Sequence, residues 1–175
     1  MSFDRSDSYA EAFFAVIGAE GALNEAQDEL FRFSRIVEGN DELYSTLADP
    51  HLPVARRQQI VEDLLGGRAY PSTSGLISLV VATGRIRDLP TIVDRLLKRT
   101  ASLTQKTVAE VRSAVDLTDE QRKRLAESLK KATGHDVDIF VVIDPTVLGG
   151  IVTQIGDTVI DGSVRHRLAQ LKESF

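Results

Sequence analysis

The residues most able to do chemistry are concentrated near the end of the chain, in the stretch GGIVTQIGDTVIDGSVRHRL at positions 149–168. Its two aspartates, Asp157 and Asp161, could bind a cation or act as an acid–base pair. Its glycines could hold a phosphate group against the backbone, and His166 could act as a base or a metal ligand. Each of these functions requires further groups at defined spacings.

The spacing of these residues favours an architectural role over catalysis. The glycines lack the GxxxxGK[ST] pattern of a nucleotide-binding loop. A turn accounts for Asp157, and Asp161 or Ser163 can cap a following helix. His166 lies among arginines without a partner at metal-ligand spacing. We therefore predict that the chain is not an enzyme and has no catalytic residue, no metal site and no cofactor.

A hairpin and a helix are the elements predicted to position this stretch. IVTQI and TVI alternate as strands do, and Gly156-Asp157 between them is a strong hairpin signal. DGS ends the second strand, and the residues after it place Val164, Leu168 and Leu171 on one face of a helix.

The sequence before the hairpin predicts the rest of a small α/β domain over residues 106–175. TVAEVRSAV alternates as a strand, Thr118 with Gln121 forms a capping-box signature, and Gly134 ends the helix that follows. DVDIFVVID is a second strand, apolar enough to be central in a sheet. The predicted order is strand, helix, strand, hairpin and helix.

Residues 1–105 are predicted to form an all-α domain, a compact six-helix bundle. Apolar residues recur there at helical spacing in six segments with short connections between them. The interruptions fall at Gly18 and Gly21, Gly39-Asn40, ADPHLP, Gly66-Gly67 and Gly84.

Composition excludes several classes of protein. The chain has 175 residues, 42% of them hydrophobic, and no cysteine, so disulfides, thiolate zinc sites and thiol catalysis are impossible. A formal net charge of −5 weighs against binding to phosphate backbones. No long uncharged run indicates a signal peptide or a membrane span. We expect a monomer in isolation that reaches a membrane only through partners.

The C-terminal stretch resembles the signature of the delta subunit of rotary ATP synthases and of its mitochondrial relative, the oligomycin sensitivity-conferring protein. YAEAFF resembles the family's opening pattern, and LISLVVATGRIRDLP resembles its fifth helix with the start of the sixth. The serines and threonines of YPSTSG depart from that pattern and leave the start of the fifth helix open. The signature positions are Gly150, Gly156, Asp157, Asp161, Gly162, Ser163, Arg165 and Leu168.

The resemblance implies a stator subunit of the proton-translocating ATP synthase, peripheral on the cytoplasmic side of the plasma membrane. The helical domain would bind the N-terminal helix of an alpha subunit between its first and fifth helices, and the α/β domain would bind the b subunits of the peripheral stalk. The chain would thereby resist rotor torque. The groove residues carried over from the family are Tyr9, Phe13, Leu76, Leu79 and Val80. A bundle also needs apolar residues inside, so core packing is the alternative for each of them.

Two other functions remain open at this stage. The basic helix from Arg122 to Lys131 with the small α/β domain could form a nucleic-acid-binding adaptor module, although the net charge argues against it. A small hydrolase would need to use Asp157 and Asp161.

Overall fold

The computed structural model describes residues 5–21, 23–104, 106–147 and 149–162. The helices α1 to α6 come first, with a short 3-10 turn at Ile86–Asp88, and strands β1 to β4 follow with α7 between the first two. The prediction of a helical N-terminal region followed by a small α/β region is confirmed. The bounds are α1 Arg5–Ala19, α2 Leu23–Gly39, α3 Asp41–Ala48, α4 Val54–Leu65, α5 Pro71–Ala82, α6 Leu89–Thr104, β1 Lys106–Ser113, α7 Asp119–Thr133, β2 Asp136–Ile143, β3 Ile151–Ile155 and β4 Thr158–Asp161.

The chain divides into two compact units, Met1–Thr100 and Ala101–Phe175. The division falls within the last turns of α6. The helix predicted after DGS lies outside the described residues.

Local signals in the sequence set several helix ends. Asn40 caps α3 by accepting a hydrogen bond from the Leu43 amide at 2.9 Å. The capping box predicted at Thr118 and Gln121 is present at the start of α7, and a left-handed Gly134 ends that helix. Pro71 occupies the first turn of α5, so the fifth helix begins at the unusual segment YPSTSG.

The core of the helical unit draws on all six helices, because each has an apolar face directed inwards. Among the buried polar residues of this core, Gln27 donates to the hydroxyl of Thr100, and Arg57 donates to main-chain carbonyls. The largest fully buried side chains of this unit are Phe13, Ile17, Leu30, Phe31, Val37, Leu47, Val61, Ile77, Ile86, Leu89, Ile92 and Leu96.

The four strands form one mixed sheet in the order β2-β1-β3-β4. β1 pairs in parallel with β2 and antiparallel with β3, which forms the predicted hairpin with β4. The expectation that DVDIFVVID is central was therefore wrong: β2 is an edge strand and β1 is central. The crossover through α7 sets β2 on one side of β1, and the hairpin occupies the other side.

Helix α7 packs against one face of this sheet. Ala109, Leu129 and Val137 are buried there, with Leu125, Ile139 and Ile155 packed against them. Paired strands share this face because their registers align Ala109 with both Ile139 and Ile155.

Among the described residues, no helix combines the length and the apolar character needed to cross a membrane.

Candidate partner-binding surface between the first and fifth helices

Helices α1 and α5 are joined by a hydrogen bond between their side chains. The hydroxyl of Tyr9 donates to Oγ1 of Thr83 at 3.3 Å. The Tyr9 ring packs edge-on against Phe13, with 6.4 Å between ring centroids, and the Arg85 guanidinium lies 6.0 Å from the Tyr9 ring centroid. Tyr9 therefore holds the start of α1 against the end of α5.

The end of α5 has the hydrogen bonds of a Schellman motif. Gly84 is left-handed with φ of 69°, its amide donates to the carbonyl of Val81 at 3.0 Å, and the Arg85 amide donates to the carbonyl of Val80 at 2.9 Å. This motif ends the helix at the turn that carries Thr83. No residue of α5 is charged.

Tyr9, Val16, Gly75, Leu79 and Thr83 define what we call the α1–α5 surface. Gly75 and Leu79 of α5 and Thr83, which directly follows α5, are spaced four residues apart, so they share one helix face, and all three are exposed. On α1, the first two are seven apart and share a face, with Val16 42% exposed. The Tyr9–Thr83 hydrogen bond joins the two faces.

The structure separates the five predicted groove residues into two groups. Phe13 and Val80 are fully buried and Leu76 is nearly so, which makes them part of the core behind the surface. Tyr9 is half-buried and Leu79 is 46% exposed, so these two can be reached by a partner. The α1–α5 surface also contains residues that were not predicted from the sequence.

Those added residues are Val16, Gly75 and Thr83. Each could have been found from helical spacing, because Val16 follows Tyr9 by seven residues, and Gly75 and Thr83 flank Leu79 by four. The eight residues from Ala12 to Ala19 carry no charge, which is a further signal in the sequence.

Helix α1 is also tied to α6. Arg95 pairs with Asp7 at 2.7 Å, and Arg99 pairs with Glu11 at 3.2 Å. The Arg99 guanidinium also lies 5.9 Å from the ring centroid of Phe14. α1 is therefore held by polar contacts to both α5 and α6.

Backbone conformation and close chain approach explain why glycine occupies several positions of the C-terminal signature. Gly156 has φ of 56° in the turn between β3 and β4, a conformation that other residues adopt at a cost. The Gly162 amide donates to the carbonyl of Ile151 at 2.9 Å, and a Cβ on Gly162 would lie 3.2 Å from that oxygen. Gly150 is likewise left-handed.

The two signature aspartates are too far apart to act together. Asp157 is exposed in the hairpin turn, and Asp161 is exposed at the end of β4. Four residues of strand separate them by about 13 Å, which rules out direct proton sharing. Ser163, Arg165, His166 and Leu168 lie outside the described residues. Within the part of the chain that is described, no three His, Asp or Glu side chains cluster as metal ligands would.

The basic residues of α7 are largely paired with acidic ones. Arg122 pairs with Asp116 at 3.0 Å, Arg124 pairs with Glu120, and Lys130 pairs with Asp136 at 2.7 Å. The hydrogen bond from Lys130 lowers the pKa of Asp136 below its usual range. This pairing leaves α7 a weak candidate for binding a phosphate backbone.

Comparison with known proteins identifies the family. Residues 6–175 match the family described as ATP synthase delta (OSCP) subunit. An ATP synthase subunit delta of Streptomyces avermitilis is 41% identical over 148 residues, covering 85% of this chain and 54% of that protein. The Frankia alni subunit is 37% identical over 175 residues, covering 100% of this chain and 63% of that protein.

The chain thus spans between about half and two thirds of the length of these curated relatives. A comparison of structures matches this chain with a chain of the cryo-EM structure of the Toxoplasma gondii mitochondrial ATP synthase hexamer. The match covers 97% of this chain and 96% of that one, at 19% sequence identity. Its TM-score is 0.41, which is too low for the likeness to bear on function. The sequence relationships are decisive by themselves: the chain belongs to the ATP synthase delta (OSCP) subunit family.

Proposed function

We propose that this chain is a non-catalytic stator subunit of a proton-translocating ATP synthase, linking the catalytic alpha/beta head to the peripheral stalk. The family match over residues 6–175 is the observation that carries the proposal. A stator must resist the torque of the rotor, so that rotation drives ATP synthesis instead of turning the head. Such a subunit would be peripheral, on the cytoplasmic side of the plasma membrane, and held there through the complex.

The helical region, as a six-helix bundle, would bind the head through the α1–α5 surface. The partner is the N-terminal helix of an alpha subunit, with apolar side chains at positions i, i+3, i+4 and i+7. Leu79 and Val16 offer exposed apolar contacts, and Gly75 allows the partner backbone to approach α5 closely. Tyr9 supplies an aromatic ring whose hydroxyl is already satisfied by Thr83.

The α/β region would bind the b subunits of the stalk. The division of the chain into two compact units supports separate contacts to head and stalk, since each unit has its own buried core. In this proposal residues 1–105 contact the head and residues 106–175 contact the stalk.

Isothermal titration with a synthetic peptide of the alpha-subunit N-terminal helix tests the head contact. We expect saturable binding with one peptide per chain, and no binding of a peptide with the same composition in scrambled order. Affinity purification of the tagged chain from solubilised membranes should recover alpha, beta and b subunits together. Failure to bind the peptide and to recover these subunits would remove the proposal.

A further inference from the structure

We propose that Arg57 of α4 is a positioning residue for the α1–α5 surface. It holds the end of α5 by donating a hydrogen bond to a main-chain carbonyl there. The functional consequence rests on the proposed function, in which that surface binds a helix of the head. The positioning itself does not depend on that function.

Arg57 is a buried cation that binds backbone. Its side chain is on the first turn of α4 and only 6% of the residue is exposed. Nε donates to the carbonyl of Leu52 at 3.2 Å, and Nη1 donates to the carbonyls of Leu47 and Val81, each at 3.3 Å. A buried charge is costly unless such partners compensate it.

The position of these carbonyls explains why a cation fits there. Leu47 lies in the last turn of α3 and Val81 lies in the last turn of α5. Carbonyls at the end of a helix lack partners within that helix, and the helix dipole makes this end negative. The Arg57 guanidinium thus binds the ends of two helices at once, and at Val81 it is a second donor to a carbonyl that already accepts from the Gly84 amide.

Neighbouring helices contribute a hydrogen bond at each end of helix α5, in addition to its own Schellman motif. It has no charged residue of its own, and Tyr70 gives it no side-chain cap. A carboxylate oxygen of Glu29 in α2 accepts from the Tyr70 amide at 3.0 Å at its start, and Arg57 binds Val81 at its end. One side chain of α2 and one of α4 therefore hold the two ends of α5 from outside the helix.

Arg57 acts from the side of α5 that faces away from the α1–α5 surface. Val81 is two residues from both Leu79 and Thr83, which corresponds to about 200° around a helix axis. Because Arg57 is buried, a bound helix would not touch it. A change at Arg57 would reach the surface only by moving the turn that carries Thr83 and its hydrogen bond to Tyr9.

The test compares Arg57→Met with Val61→Ala, a change at a fully buried position of the same helix. Both should lower the melting temperature, because both disturb the core. At a temperature where circular dichroism shows each variant folded, Arg57→Met should weaken binding of the alpha-subunit peptide by at least about tenfold. Val61→Ala should leave that affinity within about twofold of the original.

Amide hydrogen exchange gives a second measurement that does not need a partner. In Arg57→Met the amides of Gly84 and Arg85 should exchange faster relative to the rest of the core, because the Schellman motif is no longer held. Arg57→Lys, which keeps the charge but not the planar fork, should fall between Arg57→Met and the original protein in both measurements. It also replaces Arg57→Met if that variant does not fold.

Equal affinities and equal exchange at Gly84 and Arg85 in the Arg57 and Val61 variants would overturn the proposal, since Arg57 would then only stabilise the fold. If the original chain does not bind the peptide, the proposed function fails. The exchange data alone then decide whether Arg57 positions α5.

Discussion

Tyr9 and Thr83 are 74 residues apart in the chain, yet the tyrosine hydroxyl donates to the threonine Oγ1 at 3.3 Å. The Thr83 hydroxyl also lies 2.9 Å from the carbonyl oxygen of Leu79, to which it can donate in turn. A single chain of polar contacts therefore connects α1, the last turn of α5 and the most exposed apolar residue of that helix.

Leu79→Asp should abolish binding of the alpha-subunit helix without unfolding the chain. Leu79 is 46% exposed, so the free protein tolerates a carboxylate there. In the complex the charge would be buried without a partner, which we expect to weaken affinity at least about a hundredfold. Isothermal titration measures this, with circular dichroism to verify folding.

Leu64→Asp is the matched control, because Leu64 is a 51% exposed leucine on α4 outside the α1–α5 surface. It should bind the peptide normally, and attachment of either variant to the stalk should be unchanged. Normal binding by a folded Leu79→Asp variant would show that the head contacts another surface.

Thr73→Val should stabilise the chain or leave its stability unchanged. Thr73 is fully buried on α5, and its hydroxyl oxygen has no hydrogen-bond partner within the described structure. Valine keeps the shape and removes the unsatisfied group, so the free energy of unfolding should rise by up to about 1 kcal/mol. Urea titration provides the measurement.

Thr100→Val is the comparison for that experiment, because the Thr100 hydroxyl accepts from the buried Gln27 amide and donates to the carbonyl of Leu96. Losing it should lower the free energy of unfolding by about 1–3 kcal/mol. Equal loss of stability in the two threonine variants would mean that the Thr73 hydroxyl is satisfied after all.

Gly156→Val should destabilise the hairpin between β3 and β4. The φ of 56° is left-handed, and a β-branched residue there should cost about 1–2 kcal/mol. Gly156→Asn should cost clearly less, because asparagine adopts this region more readily. Urea titration of the full-length chain compares the two, and similar losses would argue against strain as the cause.

Asp144→Asn should lower the melting temperature slightly at neutral pH, by an amount that disappears in acid. The hydroxyl and then the amide of Thr146 donate to Asp144 and hold the pKa of this carboxyl below its usual range. A carboxyl with a lowered pKa in the folded state stabilises it above the unfolded pKa, and this contribution is lost as pH falls through the folded pKa.

The difference in melting temperature between Asp144→Asn and the original chain should therefore be constant above about pH 5 and shrink below about pH 4. A difference that persists unchanged into acid would show that the charge of Asp144 is not involved.

Limited proteolysis should separate the chain near residues 104–107. The exposed Leu103 and the basic Lys106 offer cleavage sites next to the change from helix to strand. We expect a stable helical fragment of about 105 residues, because boundaries between domains usually lie in exposed segments that a protease can reach. Mass spectrometry of the digest measures it, and early cleavage throughout the first hundred residues would contradict the proposed domains.

Local features could be predicted from the sequence because neighbouring residues produce them. The capping box at Thr118, the stop at Gly134 and the turn at Gly156-Asp157 each depend on contacts within a few residues. The signature glycines at 150–162 are local for the same reason, since turn conformation and close chain approach leave few other residues that fit there.

Tertiary structure decided where each of these elements lies and which side chains a partner can reach. The run of apolar residues in β2 gave no sign that it would be an edge strand, because strand order depends on the crossover through α7 and on the hairpin. Leu76, Leu79 and Val80 are alike in hydrophobicity, yet only Leu79 is left exposed when α5 packs.

Arg57 is the clearest example of a feature that could not be predicted from the sequence. An arginine in the first turn of a helix is expected at the surface, and its burial depends on carbonyls of α3, α5 and the loop before α4. The sequence alone determined the elements, because those follow from local backbone preferences, and the family, because the match runs along residues 6–175. The folded chain alone determined the accessible surface and its support, because burial and carbonyl partners come from residues distant in sequence.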